Sequence, residues 1–151
     1  YTHMGGVIGV LVGLAVSDNL KGNATVYELG KDIGMQAAAM NPSFMDKSDV
    51  DEATLAKEKE ILLAQISNDP KLASKPEKVL AGIIEGKVSK NLKDACLVEQ
   101  EFFLNPDQKV GQYLKEHAST VASFIRYAVG EGIEKREDNF AEEVMSQAFG
   151  K

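Results

Sequence analysis

An uncharged run of ten residues near the start of the chain, Val7–Val16 (VIGVLVGLAV), constrains the fold more than any other sequence feature. It is too short to cross a membrane as a helix, which takes about 20 residues. A signal peptide requires a positively charged segment before its apolar run, and no Lys or Arg precedes this one. Its length and its content of Val and Ile predict a strand that is buried on both faces. Gly9 and Gly13 within the run indicate close approach by another element.

A helix with one apolar stripe is predicted from about Thr25 to Met40, where Asn41-Pro42 stops it. The members of the stripe lie three or four positions apart: Val26, Leu29, Ile33, Ala37 and Met40. Small residues recur at every fourth position beside the stripe: Gly30, Gly34 and Ala38. A glycine inside a helix costs about 1 kcal/mol relative to alanine. We therefore expect this small-residue ridge to pack closely against the Val7–Val16 strand.

Helices dominate the middle of the chain. Three are predicted there, and their approximate bounds are Ser48–Ser67, Pro76–Gly86 and Val88–Leu97. Ser48 followed by Asp51 has the pattern of a helix start, with an N-cap and an acidic residue in the first turn. The first two helices are joined by a short polar loop, which predicts an antiparallel helical hairpin. The third would place Cys96 on an apolar face.

The last third of the chain mixes both types of secondary structure. The predicted elements are a turn at Asn105-Pro106-Asp107, a short helix at Val110–Glu116, a strand at Val121–Val129 and a capped helix from Asn139 to about Ala148. The strand would carry Val121, Ile125, Tyr127 and Val129 on one face. Together these elements predict an α+β fold that is mostly helical.

No group of residues in the sequence has the composition of a catalytic site. Gly5–Gly9 is rich in glycine but fits neither a dinucleotide-binding nor a phosphate-binding loop. A single cysteine excludes an internal disulfide and a multi-cysteine zinc site, and two histidines add little metal-binding capacity. Cys96 on an apolar stripe is typical of a buried thiol rather than a nucleophile. We therefore expect no enzyme, no catalytic residue, no metal and no cofactor.

Charge and one apolar cluster bear on the kind of partner. The formal net charge of −6 argues against nucleic acid or an anionic membrane as the main partner and permits a protein partner with a basic face. Phe102-Phe103-Leu104 is bulky and apolar, so some of it should be core, and an exposed member would be a contact anchor. Core and interface are both open for this cluster.

Segments spread in order over nearly the whole chain match those of a known family. They are His3–Val12, Gly34–Pro42, Glu58–Leu62, Lys75–Glu77, Glu85–Lys87, Val110–Glu116, Ser123–Lys135 (SFIRYAVGEGIEK) and Asn139–Met145. In this order they resemble the translation elongation factor Ts family. The resemblance implies a guanine-nucleotide exchange factor for elongation factor Tu, active in protein biosynthesis. Its compartment would be the cytoplasm or an organelle stroma or matrix. Exchange requires only that the factor prefers its nucleotide-free partner, so no covalent chemistry is needed.

The resemblance also implies partner-binding residues, which fall into three groups. Strand residues Ile8 and Gly9, with Gln36 beside them, would touch the G domain of elongation factor Tu. An apolar tip made of Phe103 and Leu104 would contact its third domain. A C-terminal helix would reach the G domain through Phe140, Glu143 and Val144. The family often has histidine where this chain has Gln36.

The domain organisation that the resemblance implies has three parts. Residues 1–45 and 88–136 would form a core subdomain, 46–87 an inserted, projecting helical hairpin, and 137–151 a C-terminal helical module. The 151 residues contain neither the family's N-terminal helical domain nor its Thr-Asp-Phe-Val motif, whose Asp-Phe pair acts near the Mg²⁺ site. A homodimer, or pairing with an N-terminal half of the core, is therefore expected. The alternative function is a structural or dimerisation fragment that binds the partner without exchange activity.

Overall fold

The fold combines one central sheet with helices and is seen here in a computed structural model, which describes residues 1–133 apart from the side chain of Ala73. The strands are β1 (Thr2–His3), β2 (Ile8–Val16), β3 (Glu101–Phe102), β4 (Asn105–Lys109) and β5 (Ser119–Ala128). The helices are α1 (Ala24–Met40), α2 (Glu52–Ser67), α3 (Pro70–Ala73), α4 (Glu77–Ala95) and α5 (Val110–Glu116). The α+β class is confirmed. The predicted C-terminal helix, with Phe140, Glu143 and Val144, lies outside the described residues.

The central sheet is antiparallel, in the order β1-β2-β5. Gly13 pairs with Ser123 and Leu14 with Val121, which leaves Ala122 as an extra residue in β5. Such a bulge reverses the alternation of side chains along a strand. Val121 is therefore buried, whereas Ile125 and Tyr127 face outward. The prediction that these three residues share one face, with Val129, is wrong for Val121.

Strand β2 is covered on one face only within the described part of the chain. Val10 is 3% exposed beneath α1, whereas its neighbour Leu11 is 69% exposed. The prediction of a strand buried on both faces is wrong here, because helix α1 packs on one side and no described element packs on the other. Close approach is confirmed at Gly13, where an added Cβ would lie 2.8 Å from the Oγ of Ser123, but an added Cβ at Gly9 would meet open space.

Helix α1 forms close to its predicted bounds and packs through its small-residue ridge. The side chain of Asn23 accepts a hydrogen bond from the backbone of Thr25 at its start, and Asn41 ends it in a left-handed conformation. An added Cβ at Gly30 would lie 3.5 Å from Leu14 in β2, and Ala38 is buried beside Val10. The predicted packing of the ridge against β2 is therefore confirmed at Gly30 and Ala38, whereas the nearest contact of Gly34 is Tyr1, which would lie 2.7 Å from an added Cβ.

Helices α2 and α4 pack as an antiparallel pair around an apolar cluster of their own, made of Leu62, Ile66, Ile84 and Val88. The predicted break at Gly86 is wrong, because α4 runs without interruption from Glu77 to Ala95. Gly86 lacks the positive φ of a helix-ending glycine. The N-cap of α2 is Asp51, and Ser48 instead lies in a short turn capped by Asp46.

The predicted turn at Asn105-Pro106-Asp107 is also wrong, because these residues begin strand β4. Phe102 pairs with Asn105, so the two-residue turn of this hairpin consists of Phe103 and Leu104. Pro106 is tolerated because β3 and β4 form a separate two-stranded sheet in which β4 has a free edge. Helix α5 follows at once, with its predicted bounds, and helps to bury Phe102.

Candidate partner-binding surface

The three apolar residues Phe102, Phe103 and Leu104 divide between core and surface. Phe102 is 2% exposed and stacks on Tyr113 with 4.2 Å between ring centroids. Phe103 is 38% exposed and Leu104 is 55% exposed. The β3–β4 turn therefore presents a pair of apolar side chains, called the tip below, on a buried base. The core reading is therefore confirmed for Phe102, and the interface reading stays a prediction for the exposed pair Phe103 and Leu104.

Gln36 lies fully buried beneath the tip and uses both ends of its amide there. The backbone N–H of Phe103 donates to Oε1 of Gln36 at 3.0 Å, and Nε2 of Gln36 donates to the carbonyl of Glu101 at 3.1 Å. Because the N–H of Phe103 can only donate and the carbonyl of Glu101 can only accept, Oε1 of Gln36 must face Phe103 and Nε2 must face Glu101. The sequence-predicted site residues Gln36, Phe103 and Leu104 are therefore brought together, but Gln36 is interior.

Gln100 is a residue of this region that the sequence did not indicate. It is 3% exposed, and its Oε1 accepts a hydrogen bond of 3.0 Å from Nε2 of Gln36. Its own Nε2 donates to the carbonyl of Asp94 in the last turn of α4, at 2.6 Å. The only sequence signal was a neutral polar residue close to the apolar residues Leu97 and Phe102, a position where a buried amide must find partners.

Tyr113 supports the base of the tip from the other side. Its hydroxyl donates to Oδ2 of Asp32 at 2.8 Å. Burial, followed by the hydrogen bond and charge of Asp32, raises the pKa of Tyr113 to about 12. Asp32 and Gln36 are four residues apart on α1, so one face of this helix holds the base of the tip at two points.

Ile8 and Gly9 lie on opposite faces of β2. Ile8 is half-buried and packs against the cluster of Val10, Ala37 and Ala38 under α1. Gly9 is half-buried in the sheet, between Thr2 of β1 and Tyr127 of β5. The two residues therefore face opposite sides of the sheet, and Ile8 lies on the side of the helix that carries Gln36.

A second exposed apolar surface is formed by the side of the central sheet that faces away from α1. This outer sheet face consists of Gly9, Leu11, Gly13, Ser123, Ile125, Tyr127 and Val129. Leu11 lies opposite Ile125, and Tyr127 is 69% exposed. None of these positions is charged. Contiguous apolar patches on soluble proteins usually mark interaction sites.

Cys96 is the C-cap residue of α4 and is fully buried. Its backbone forms an isolated parallel β-bridge with Phe44. Burial, with smaller effects from the charges of Asp46 and Glu99, raises the pKa of its thiol. A buried thiol of raised pKa is a poor nucleophile. Within residues 1–133, no group of three or more His, Cys, Asp or Glu side chains could hold a metal ion. No helix in the same range is long and apolar enough to span a membrane.

Comparison with known families yields one match that covers most of the chain. The sequence model of a family described as Elongation factor TS matches residues 1–131 of the 151. The match includes both strands of the outer sheet face, helix α1 and the hairpin that carries the tip. This chain belongs to the elongation factor Ts family of translation factors.

Proposed function

We propose that this chain binds elongation factor Tu and takes part in guanine-nucleotide exchange, promoting GDP release through contacts with the G domain and the third domain. The observation that carries this proposal is the exposed Phe103–Leu104 tip, held on a buried base by Gln36. Two exposed apolar side chains on a turn with a buried base are suited to fill a pocket of a partner, and a few such anchors commonly supply most of the binding energy of an interface.

The physical basis of exchange is differential binding. A factor that binds the nucleotide-free partner more tightly than the GDP-bound partner must, by linkage, weaken GDP binding by the same factor. The residues of this chain need only hold the partner in the state that has lost its nucleotide. The family's activity is of this kind and involves no covalent step.

The contacts divide among the groups of residues that the family resemblance implies. The tip would meet the third domain, and β2, through Ile8 and Gly9, would meet the G domain, as would Phe140, Glu143 and Val144. Since Gln36 is buried, its contribution would pass through the tip and helix α1. We further propose that 46–87 is the inserted hairpin of the core formed by 1–45 and 88–136, with 137–151 as a separate helical module.

The outer sheet face favours a second function, a dimerisation or structural role without exchange activity. Leu11, Ile125 and Tyr127 form an uncharged apolar surface of the kind that two sheets bury when they pack face to face. The occupant would be a second copy of this chain or an N-terminal half of the family's core. This pairing would leave the tip free, because the tip lies on a different sheet, but it would cover Gly9 and so compete with the G-domain contact proposed for that residue.

Calorimetric titration of elongation factor Tu, prepared free of nucleotide and loaded with GDP, tests the proposal. We expect this chain to bind the nucleotide-free form more tightly, because only differential affinity can drive exchange. Equal affinity for both forms would leave the structural role as the better account. Absence of binding to either form would overturn the proposal.

A further inference from the structure

We propose that Gln36 and Gln100 form a buried positioning pair that fixes the orientation of the tip for its protein partner. The partner-binding half of this inference rests on the proposed function, whereas the positioning half concerns this chain alone. Gln36 is then not a contact residue but the group that holds Phe103 and Leu104 in place.

The amide of Gln36 takes the place of a neighbouring strand. Phe102 pairs with Asn105 in β4, so the carbonyl of Glu101 and the N–H of Phe103 point to the opposite edge of β3. Gln36 accepts from that N–H and donates to that carbonyl, at 3.0 and 3.1 Å. One side chain therefore satisfies both backbone groups that would otherwise be left unpaired at the edge of the tip.

Gln100 fixes the amide of Gln36 in turn. An amide nitrogen has two hydrogens, and Gln36 uses the second one for Oε1 of Gln100. Gln100 then donates to the carbonyl of Asp94 at the end of α4. The hydrogen bonds thus run without a gap from the C-terminal end of α4, through both glutamines, to the tip. No amide hydrogen of Gln36 remains for a partner protein.

Gln36→Leu is the direct test, because leucine fills similar space but can form none of the three hydrogen bonds. The first measurement is hydrogen exchange of the Phe103 backbone amide by NMR, because this N–H donates to Gln36 itself. We expect its protection to fall in the variant while amides in the α2–α4 pair keep theirs. Gln112→Leu is the matched control, because Gln112 is exposed on α5 and bonds only Glu116.

The second measurement is affinity for elongation factor Tu. We expect Gln36→Leu to bind about 10-fold more weakly, which corresponds to about 1.4 kcal/mol. Leu114→Ala, a core change that removes none of the hydrogen bonds of the two glutamines, controls for stability. A larger loss of affinity in Gln36→Leu than in Leu114→Ala, at matched melting temperature, supports the proposal. Gln36→His should retain part of the affinity, because the ring can still accept or donate.

Two results would overturn the positioning pair. One is unchanged protection of the Phe103 amide in Gln36→Leu. The other is an equal loss of affinity in Gln36→Leu and Leu114→Ala, which would make Gln36 an ordinary stabilising residue. If the unmodified chain does not bind elongation factor Tu at all, the proposed function fails, and the exchange of the Phe103 amide still decides whether Gln36 holds the tip.

Discussion

The hydroxyl of Tyr113 and the carboxylate of Asp32 are joined by a hydrogen bond of 2.8 Å that connects α5 to α1 beneath the tip. The same tyrosine ring stacks on Phe102, the buried neighbour of the tip. Tyr113 thus supports the base of the tip through one polar contact and one aromatic contact, in addition to the hydrogen bonds that Gln36 makes there. This arrangement makes Tyr113 a sensitive site for stability.

We expect Tyr113→Phe to lower the free energy of unfolding by about 1 kcal/mol, the usual net value of one hydrogen bond, because the ring stacking is kept. Urea unfolding of both proteins at pH 7 measures this difference. Tyr27→Phe is the control, because Tyr27 is exposed on α1 and should change stability little. Equal stability of Tyr113→Phe and the unmodified chain would mean that the bond to Asp32 contributes nothing.

The same pair predicts a dependence on alkaline pH. The pKa of Tyr113 is raised from 10.0 to about 12 in the folded chain. The contribution of the protonated Tyr113 hydroxyl to the free energy of unfolding is complete below the unfolded pKa near 10 and is lost as the pH rises through about 12. The stability difference between the unmodified chain and Tyr113→Phe should therefore shrink over this range. A difference that stays constant up to pH 12 would contradict the raised pKa.

The double change Phe103→Ala, Leu104→Ala should weaken binding to elongation factor Tu by about 2 kcal/mol or more, as truncation of interface anchors commonly does. The melting temperature should stay nearly unchanged, because both side chains are exposed. Phe102→Ala serves as the contrast, and it should lower the melting temperature strongly because the ring is buried in the core. A large drop in melting temperature for the double variant would assign the tip to the core.

Tyr127→Lys tests the outer sheet face. A charge in the middle of this face should prevent packing against a second copy, so sedimentation equilibrium should find less self-association than in the unmodified chain. Tyr27→Lys is the matched control, because Tyr27 is equally exposed but lies on α1. A monomeric unmodified chain at high concentration would rule out a second copy as the occupant.

Cys96 should react slowly with thiol reagents in the folded chain and at once in urea. The thiol is fully buried, and its raised pKa keeps the thiolate fraction low at neutral pH. The rate of labelling is measured by the change in absorbance of a thiol reagent added in large excess. Rapid stoichiometric labelling of the folded chain would contradict the burial of the α4 C-terminus.

Much of the fold could be predicted from sequence where local signals were strong. The apolar spacing and the Asn41-Pro42 stop defined α1, and Val110–Glu116 was predicted with its observed bounds. The errors arose where pairing outweighs local preference. Asn105-Pro106 is a turn signal, but its pairing with Phe102 makes it part of a strand. The bulge at Ala122 depends on the register against Gly13, which no local pattern in β5 specifies.

Most residues of the candidate surface could be named from sequence, but their geometry could not be predicted. The family resemblance assigned Gln36 and the tip to contacts with two different domains of the partner, whereas the structure brings them into contact with each other. That Gln36 is interior could not be predicted, because its helix position says nothing about the edge of a hairpin 65 residues further along the chain. Gln100 was missed for the same reason, since its partners come from distant parts of the sequence.

The rate of GDP release from elongation factor Tu tests the central claim most directly. A fluorescent GDP analogue bound to elongation factor Tu is chased with excess GDP, at saturating concentrations of this chain. A family protein that contains the Thr-Asp-Phe-Val motif is measured beside it. We predict a rate above the spontaneous one but below that of the comparison protein, because the 151 residues lack the Asp-Phe pair. A rate that stays at the spontaneous value while the chain is bound would contradict a role in nucleotide exchange.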